Sequence, residues 1–135
     1  MTDLLNGPDP LAFEPTSLQL FRFSAATWNP HLIHYDSGYA ETEGYPDVLV
    51  QSHLHGCFLV EVVRRWIDGR GELRHFSWRN RHFAVPGDVL TCTGRIVETD
   101  GDLITLELEE RNQEDQVCAT GSAVVAMTSS GEEPS

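Results

Sequence analysis

The sequence predicts an α+β domain in which an antiparallel sheet curls round one long helix. Apolar residues recur at three- and four-residue spacing over positions 52–67, which is the period of an α-helix. After Gly71 the pattern changes, and four apolar segments separated by turn residues follow one another. One long helix followed by hairpin-connected strands is an α+β order, because an α/β protein would alternate the two.

Length and composition limit the class of protein. A chain of 135 residues with 40% hydrophobic side chains is one domain with a core. Nine basic residues, all Arg, against 21 acidic ones give a net charge of −12. Nucleic acid and anionic membranes are therefore not expected partners. Three widely spaced cysteines without a CxxC pair argue against disulfides and favour a cytoplasmic location. Neither a secretory signal nor a spanning helix is recognisable.

The chain divides into three parts by composition. Residues 1–16 are rich in Pro, Gly and Asp and are expected to be a loosely ordered lead-in. Residues 17–127 carry all the periodic segments and form the folded domain. Residues 128–135 are small, polar and acidic, and we expect a flexible tail.

The elements before the long helix are short. In Ser17–Phe23 the alternation of Leu18 and Leu20 with their neighbours predicts a strand. The stretch 24–47 is punctuated by Pro and Gly and is expected to be irregular, with a helical turn near Ser37–Thr42.

The long helix begins after Ser52, which is a plausible N-cap, and Gly69 can end it. Apolar residues cover much of its circumference, which indicates burial on most sides. Arg64 and Arg65 lie in its last turns, where cations complement the helix dipole. The cysteines are interpreted as small buried hydrophobic residues: Cys57, Cys92 and Cys118.

Four strands are predicted after the helix: Arg74–Phe83, Val89–Glu98, Leu103–Arg111 and Val117–Met127. The breaks between them are Pro86-Gly87-Asp88, Asp100-Gly101-Asp102 and Asn112–Gln116. The third strand alternates well, with Ile104, Leu106 and Leu108 on one face. The Asp100-Gly101 pair is a hairpin signal.

Chemically useful residues concentrate in two places. The loop segment Phe23–Asp36 (FSAATWNPHLIHYD) contains two histidines, an Asn and an Asp, and loops carry function disproportionately. The segment Gln51–His55 lies at the predicted start of the long helix, whose free amides can stabilise an oxyanion.

The first segment resembles the active-site segment of the MaoC-like, or R-specific, enoyl-CoA hydratases, which are hotdog-fold proteins. The matching positions are Phe23, Ala26, Thr27, Ile33, His34, Asp36 and Tyr39-Ala40. The string is most similar to the fatty-acid-synthase-like, type 2 hydroxyacyl-thioester dehydratase branch. The resemblance extends over residues 18–127, because the predicted order of elements also matches, as do Gly44-Tyr45-Pro46 and Val85–Asp88.

The resemblance implies a single hotdog domain that hydrates 2-enoyl-CoA or dehydrates 3-hydroxyacyl-CoA thioesters. It implies no metal and no redox cofactor, since coenzyme A is part of the substrate. It also implies a second hotdog unit as partner, in a homodimer or in a heteromer.

The sequence departs from the family pattern at the site itself. Asn29 occupies the position of the family's catalytic Asp, and Trp28 replaces the preceding Gly. An Asn cannot accept a proton as a carboxylate does. His31 and Leu32 replace the usual Asn-Pro pair. At the helix start, Ser52-His53 stands where the family has Gly and often Pro.

The reaction requires a base for water, an acid for the α carbon and donors for the thioester oxygen. The resemblance assigns proton transfer to His34, water or substrate positioning to Asn29, and thioester-oxygen binding to the amides near Ser52 and His53. The missing acid could be His31, Asp36 or a group of a partner subunit.

Each of these residues also has a plain structural interpretation. Asn29 could cap its own loop, and Asp36 is more typical of an N-cap for the following turn. A metal site built from His31, His34, Asp36, His53 and His55 is disfavoured, because His53 and His55 face different sides of a helix. The arginine-rich stretch 64–81 is a solvated face by default, although coenzyme A phosphates need such a group.

Two other functions compete with hydration. With Asn29 in place of Asp, the chain could be a non-catalytic subunit that completes an active hotdog partner. It could also be an acyl-CoA thioesterase or acyl-thioester binding protein. The acyl group stays open, and the negative charge of the chain favours CoA over an acidic carrier protein.

Overall fold

The computed structural model describes residues 6–128. Within this range the sheet has five antiparallel strands: β1 (Leu11–Phe13), β2 (Gly71–Asn80), β3 (Leu90–Asp100), β4 (Leu103–Arg111) and β5 (Val117–Met127). The helical elements that precede β2 are α1 (Ser17–Thr27), a 3₁₀ turn (Leu32–His34), α2 (Ser37–Thr42) and α3 (Ser52–Ile67). The strand order β1-β3-β4-β5-β2 leaves β1 and β2 at the two edges.

The core lies between α3 and one face of the sheet. Helix α3 contacts β2, β3, β4 and β5. Alternate residues of β4 are buried against it, as period-two alternation predicts: Ile104, Leu106, Leu108 and Glu110. A long buried helix against a curled antiparallel sheet is the predicted α+β architecture.

The long helix and the bounds of two strands are confirmed. Strands β4 and β5 have the residues predicted for them, and helix α3 begins one residue earlier than predicted. Strand β2 begins and ends three residues before the predicted segment, and β3 extends to Asp100. At the end of α3, Asp68 adopts a left-handed conformation and its N–H donates to the Arg64 carbonyl, so the helix stops before Gly69.

The strand predicted at Ser17–Phe23 is wrong, because this segment is the first part of helix α1. The Thr16 hydroxyl accepts a hydrogen bond from the Gln19 N–H at 3.0 Å and caps the helix. Leu20 and Ser24, four residues apart, are buried, whereas Leu18 is 56% exposed. The burial period is therefore helical, although the short apolar run fits both periods.

Two smaller predictions are also wrong. The N-cap of α3 is Gln51, whose side chain makes no cap hydrogen bond, and not Ser52, which is the first helical residue. Cys57 is exposed, whereas Cys92 and Cys118 are buried as predicted. Cys57 lies on the side of α3 that the sheet leaves uncovered.

The predicted lead-in at residues 1–16 contains one element that its composition does not indicate. Strand β1 pairs with β3, and its Phe13 ring stacks on Phe58 of α3 with centroids 4.4 Å apart. Residues 1–5 and 129–135, and hence nearly all of the predicted tail, lie outside the described residues. Between residues 6 and 128, no helix has both the length and the apolarity to cross a membrane.

Candidate active site

His34 is fixed to the chain segment that leads into α3. It ends the 3₁₀ turn, and its Nδ1 lies 2.8 Å from the Leu49 carbonyl oxygen. The Leu49 N–H in turn donates to the Ile33 carbonyl at 2.9 Å. Since a carbonyl can only accept, Nδ1 carries the proton and Nε2 is the free basic nitrogen of the neutral ring.

The surroundings of His34 keep the ring neutral near pH 7. Partial burial lowers its pKa below the ordinary 6.5, because the charged form loses hydration. The hydrogen bond to Leu49 acts in the opposite direction, and the neighbouring charge of His31 lowers the pKa further. A neutral imidazole with one open nitrogen is equipped to accept a proton.

His31 and Asp36 act as local caps on either side of His34. The exposed His31 accepts the Ile33 N–H on its Nδ1 at 3.1 Å, and its ring centroid lies 6.0 Å from that of His34. Asp36 accepts the Tyr39 N–H on Oδ1 at 3.0 Å, which makes it the N-cap of α2. The N-cap interpretation of Asp36 is therefore confirmed.

The first turn of α3 presents the amides of Ser52 and His53. The N–H groups of Leu54 and His55 both donate to the Gln51 carbonyl. The N–H groups of Ser52 and His53 come earlier in the first turn, where the helix has no carbonyl to accept a hydrogen bond from them. Both residues are exposed. Leu49, which holds His34, lies three residues before Ser52 along the chain, so the segment that anchors the imidazole leads directly into the first turn of α3.

Gln51 joins the start of α3 to α1. Its buried Nε2 donates to the Leu20 carbonyl at 2.7 Å and to the Ser24 hydroxyl at 2.9 Å. Its Oε1 is buried without a protein partner among the described residues. Ser24 also accepts the Asn29 N–H on its carbonyl at 2.9 Å, so the loop that carries Asn29 is tied to the same place.

An apolar groove of 580 Å³ opens beside these elements, between α1, α3 and β2. Asn29 and His53 line it, whereas His34, His31, Asp36 and Ser52 do not. The other lining residues are Phe23, Thr27, Trp28, Gly56, Cys57, Val60, Phe76 and Trp78. The predicted residues thus fall into two groups. His34 is held at Leu49 and does not line the groove, whereas Asn29 and His53 do.

Trp78 of β2 forms one wall of the groove. Its indole N–H donates to the Ser52 carbonyl at 3.2 Å, and the His53 ring lies edge-on to it at 5.4 Å. A methyl group at Gly56 would come within 2.8 Å of the indole, so the ring lies directly on the helix backbone. The predicted sequence sites did not include Trp78, because nothing in β2 marks it locally.

The histidines considered for a metal site are dispersed by the fold. His55 is buried and hydrogen-bonded to Glu110, while His53 faces the groove. Among residues 6–128, no three His, Cys, Asp or Glu side chains form a group that could hold a metal ion.

The arginine-rich stretch is mostly engaged in local contacts. Arg64 and Arg65 both bind Glu61, whose pKa falls to about 2 because the two guanidinium groups hydrogen-bond its carboxylate. Arg70 donates to the last carbonyls of α3. Arg79 and Arg81 line a polar groove of 790 Å³ on the sheet face away from α3.

Comparison with known proteins identifies the family. The model of the hydroxyacyl-thioester dehydratase type 2 family matches residues 6–86. A mesaconyl-C(4)-CoA hydratase of Chloroflexus aurantiacus is 49% identical over 96 residues, which is 70% of this chain and 32% of that protein. The mitochondrial hydroxyacyl-thioester dehydratase type 2 of Saccharomyces cerevisiae is 27% identical over 92 residues, 66% of this chain and 31% of that protein. The chain thus spans about a third of the length of these curated relatives.

Solved structures establish the fold. The (R)-hydratase from A. caviae involved in PHA biosynthesis superposes with a TM-score of 0.83 at 18% identity, over 90% of this chain and 95% of that one. The ChsH1-ChsH2 complex from Mycobacterium tuberculosis gives 0.82 at 18% identity, over 90% and 97%. The family and the fold that the active-site string indicated are confirmed: the chain is a single hotdog domain and belongs to the hydroxyacyl-thioester dehydratase type 2 family of MaoC-like proteins.

Proposed function

We propose that this protein hydrates 2-enoyl-CoA thioesters, or dehydrates 3-hydroxyacyl-CoA thioesters in the reverse direction. The supporting observation is that His34 donates through Nδ1 to the carbonyl of Leu49, in the segment that leads into α3, which leaves Nε2 as a base. The proposed chemistry is the addition of water by proton transfer and C–O bond formation, without net oxidation or reduction, so it needs neither a metal nor a redox cofactor. Coenzyme A enters only as part of the substrate.

Each step of the proposed hydration is assigned to a different group of the protein. His34 Nε2 takes a proton from water while the water oxygen bonds to the β carbon of the enoyl group. Negative charge then moves to the thioester oxygen, which accepts hydrogen bonds from the Ser52 and His53 amides. The proton on His34 finally passes to the α carbon. One water has been added, and the imidazole is again neutral.

Asn29 has a supporting part in this scheme. Its side-chain oxygen accepts a hydrogen bond from the attacking water, but it cannot take the proton. His31 Nδ1 and Asp36 Oδ1 are engaged as caps. The scheme above takes the second proton from His34 itself, and His31, Asp36 and a group on a partner remain the alternatives.

The groove offers a place for the acyl group. Its walls are mainly aromatic and aliphatic, and Asn29 and His53 stand among its polar members. Acyl chains gain free energy when such surfaces are removed from water together. With a net charge of −12, the chain is better suited to CoA than to an acidic carrier protein. Arg79 at the end of β2 and Arg81 just after it are candidates for the CoA phosphates.

A second hotdog unit is the proposed partner. Strand β2 is a ten-residue edge, and an edge of that length presents unpaired backbone groups. The curated relatives are about three times as long as the matched region, which leaves room for a second unit. Whether the unit is a second copy or a different chain decides between a homodimer and a heteromer. Cytoplasmic localisation stays a prediction.

A non-catalytic subunit is the second candidate function, and Asn29 is the observation that favours it. In that case the chain lends its fold and groove to an active partner. A thioesterase or a binding protein would act on the same acyl-CoA without adding water to its double bond.

Loss of the enoyl-thioester absorbance tests the proposal, with crotonyl-CoA and trans-2-octenoyl-CoA as probes. We expect turnover by the wild type and a decrease of at least about a hundredfold in His34→Ala, since a general base contributes that much. Full activity in His34→Ala would exclude the proposed base.

Two further measurements separate the rival functions. Release of free CoA thiol would indicate a thioesterase, because hydration leaves the thioester bond intact. An inert wild type that becomes active as Asn29→Asp, or with a co-expressed hotdog partner, would identify a non-catalytic subunit.

A further inference from the structure

The core contains a polar cluster that the proposed reaction does not use. His55 of α3 donates through Nδ1 to the Glu110 carboxylate on β4. The Cys92 thiol of β3 donates to the other carboxylate oxygen, with Sγ and Oε1 3.7 Å apart. His55 is 2% exposed and Glu110 and Cys92 are fully buried. Burial, together with the neighbouring Glu110 charge, raises the pKa of Cys92 far above its ordinary 9.0, so the thiol keeps its proton.

Stability alone is a weak reason for such a cluster. A buried pair of this kind loses hydration that its mutual attraction roughly repays, and apolar side chains of similar volume often stabilise a core as well or better. The surrounding positions of α3 and β4 are leucine and other apolar residues. A directional contact in this setting fixes geometry, because a hydrogen bond constrains rotation and sliding whereas apolar contacts tolerate both.

The geometry that it fixes is the first turn of α3. The His55 N–H donates to the carbonyl of Gln51, the N-cap, and His55 follows Ser52 by three residues, so the two lie within one turn. Glu110 belongs to β4, the middle strand of the sheet. On the opposite side, Gln51 holds the same turn to α1. The amide end of α3 is therefore held from two directions.

We propose that His55 and Glu110 are positioning residues, which hold the first turn of α3 so that the Ser52 and His53 amides meet the thioester oxygen. The inference rests on the proposed function for its catalytic consequence. Neither side chain lines the groove, so both act through the helix and not on the substrate.

The decisive variant replaces the pair by apolar residues: His55→Leu combined with Glu110→Leu. It leaves no unpaired buried charge, so folding and thermal midpoint stay near those of the wild type. We expect kcat for crotonyl-CoA hydration to fall about tenfold to a hundredfold with KM changed less than about twofold, since small misplacements of such donors have effects of this size. The two amides that donate to the Gln51 carbonyl, those of Leu54 and of position 55, should exchange hydrogen at least about tenfold faster.

Two further variants test the proposal even if the double variant folds poorly. Glu110→Gln retains an acceptor for the ring N–H of His55, so its kcat should stay within about threefold of the wild-type value. Val63→Ala removes a fully buried side chain two turns further along α3, and should lower stability without changing kcat or exchange in the first turn.

A double variant with the kcat and the amide exchange of the wild type would overturn the proposal, because the pair would then only fill the core. Equal losses of kcat in Glu110→Gln and in the double variant would also contradict it. If the wild type turns over no enoyl thioester, the proposed function fails. Exchange of the Leu54 amide and of the amide at position 55 in the double variant then still decides whether the pair positions the turn: acceleration supports the proposal, and an unchanged rate overturns it.

Discussion

The chemistry of His34 follows from how its two ring nitrogens are used. Nδ1 donates to the Leu49 carbonyl, and Nε2 carries the lone pair of the neutral ring. Burial is the main cause that lowers the pKa of His34, and the nearby charge of His31 lowers it further. The same loop therefore holds the proposed base and a neighbour that adds to the downward shift of its pKa.

This arrangement predicts a shift in the pH dependence of the rate. The wild-type kcat/KM should fall on acidification with a pKa below 6.5, since a base loses activity as the pH drops through its pKa. In His31→Asn the side-chain oxygen can still cap Ile33, but the charge is gone, so the pKa of His34 should rise toward 6.5. The acidic limb of the kcat/KM profile should move to higher pH, as measured between pH 5 and pH 8.

His31→Gln provides a second uncharged replacement and should shift the limb in the same direction. A limb that stays in place in both variants would show that His31 does not act on His34.

At the scale of elements, a prediction was correct where the sequence pattern directly reflects which residues are buried. Helix α3 and strand β4 bury their apolar residues with clear periods, and their bounds were predictable. Helix α1 was not, because SLQLFRF is short enough to fit either period. What identifies it as a helix is Thr16, one residue before the segment.

The same reasoning explains what was predictable in the site. The His34 string and the helix start can be read locally. The contacts of Gln51 with Leu20 and of His55 with Glu110 span 31 and 55 residues, so no local pattern announces them. One signal was present, since the alternation of Leu106 and Leu108 continues to Glu110 and places that carboxylate in the core.

The capping role of Thr16 leads to a prediction. Thr16→Ala removes the acceptor for the Gln19 N–H and should lower the free energy of unfolding by about 1 kcal/mol. Urea denaturation measures this difference. Thr16→Ser retains the hydroxyl and should remain within a few tenths of a kcal/mol of the wild type; an equal loss in both variants would argue against the cap.

On the scale of the whole molecule, the two edges of the sheet differ. Strand β1 exposes three residues of backbone at one edge, whereas β2 exposes ten at the other. The groove runs along β2 and the uncovered side of α3, so a partner at this edge would also close the groove. Assembly and substrate binding are expected to occur on the same side of the molecule.

Sedimentation should therefore give twice the chain mass of 15.1 kDa, and the thermal midpoint should rise with protein concentration. Leu73→Lys places a charge on β2, where lysine opposes edge pairing, and should shift the protein toward monomer. Val97→Lys is the matched control, because Val97 is a similarly exposed apolar residue on β3. A monomer with a concentration-independent midpoint would contradict self-pairing and leave a different chain as the partner.

The contact between Gly56 and Trp78 links the width of the groove to the position of the first turn of α3. The indole lies on the backbone at Gly56 and donates to the Ser52 carbonyl, so a movement of this ring that widens or narrows the groove also displaces the first turn of α3. If the groove holds the acyl group and the Ser52 and His53 amides bind the thioester oxygen, as proposed, acyl-chain preference and turnover rate cannot be adjusted independently. A variant selected for a larger substrate would then need compensating changes at the helix start.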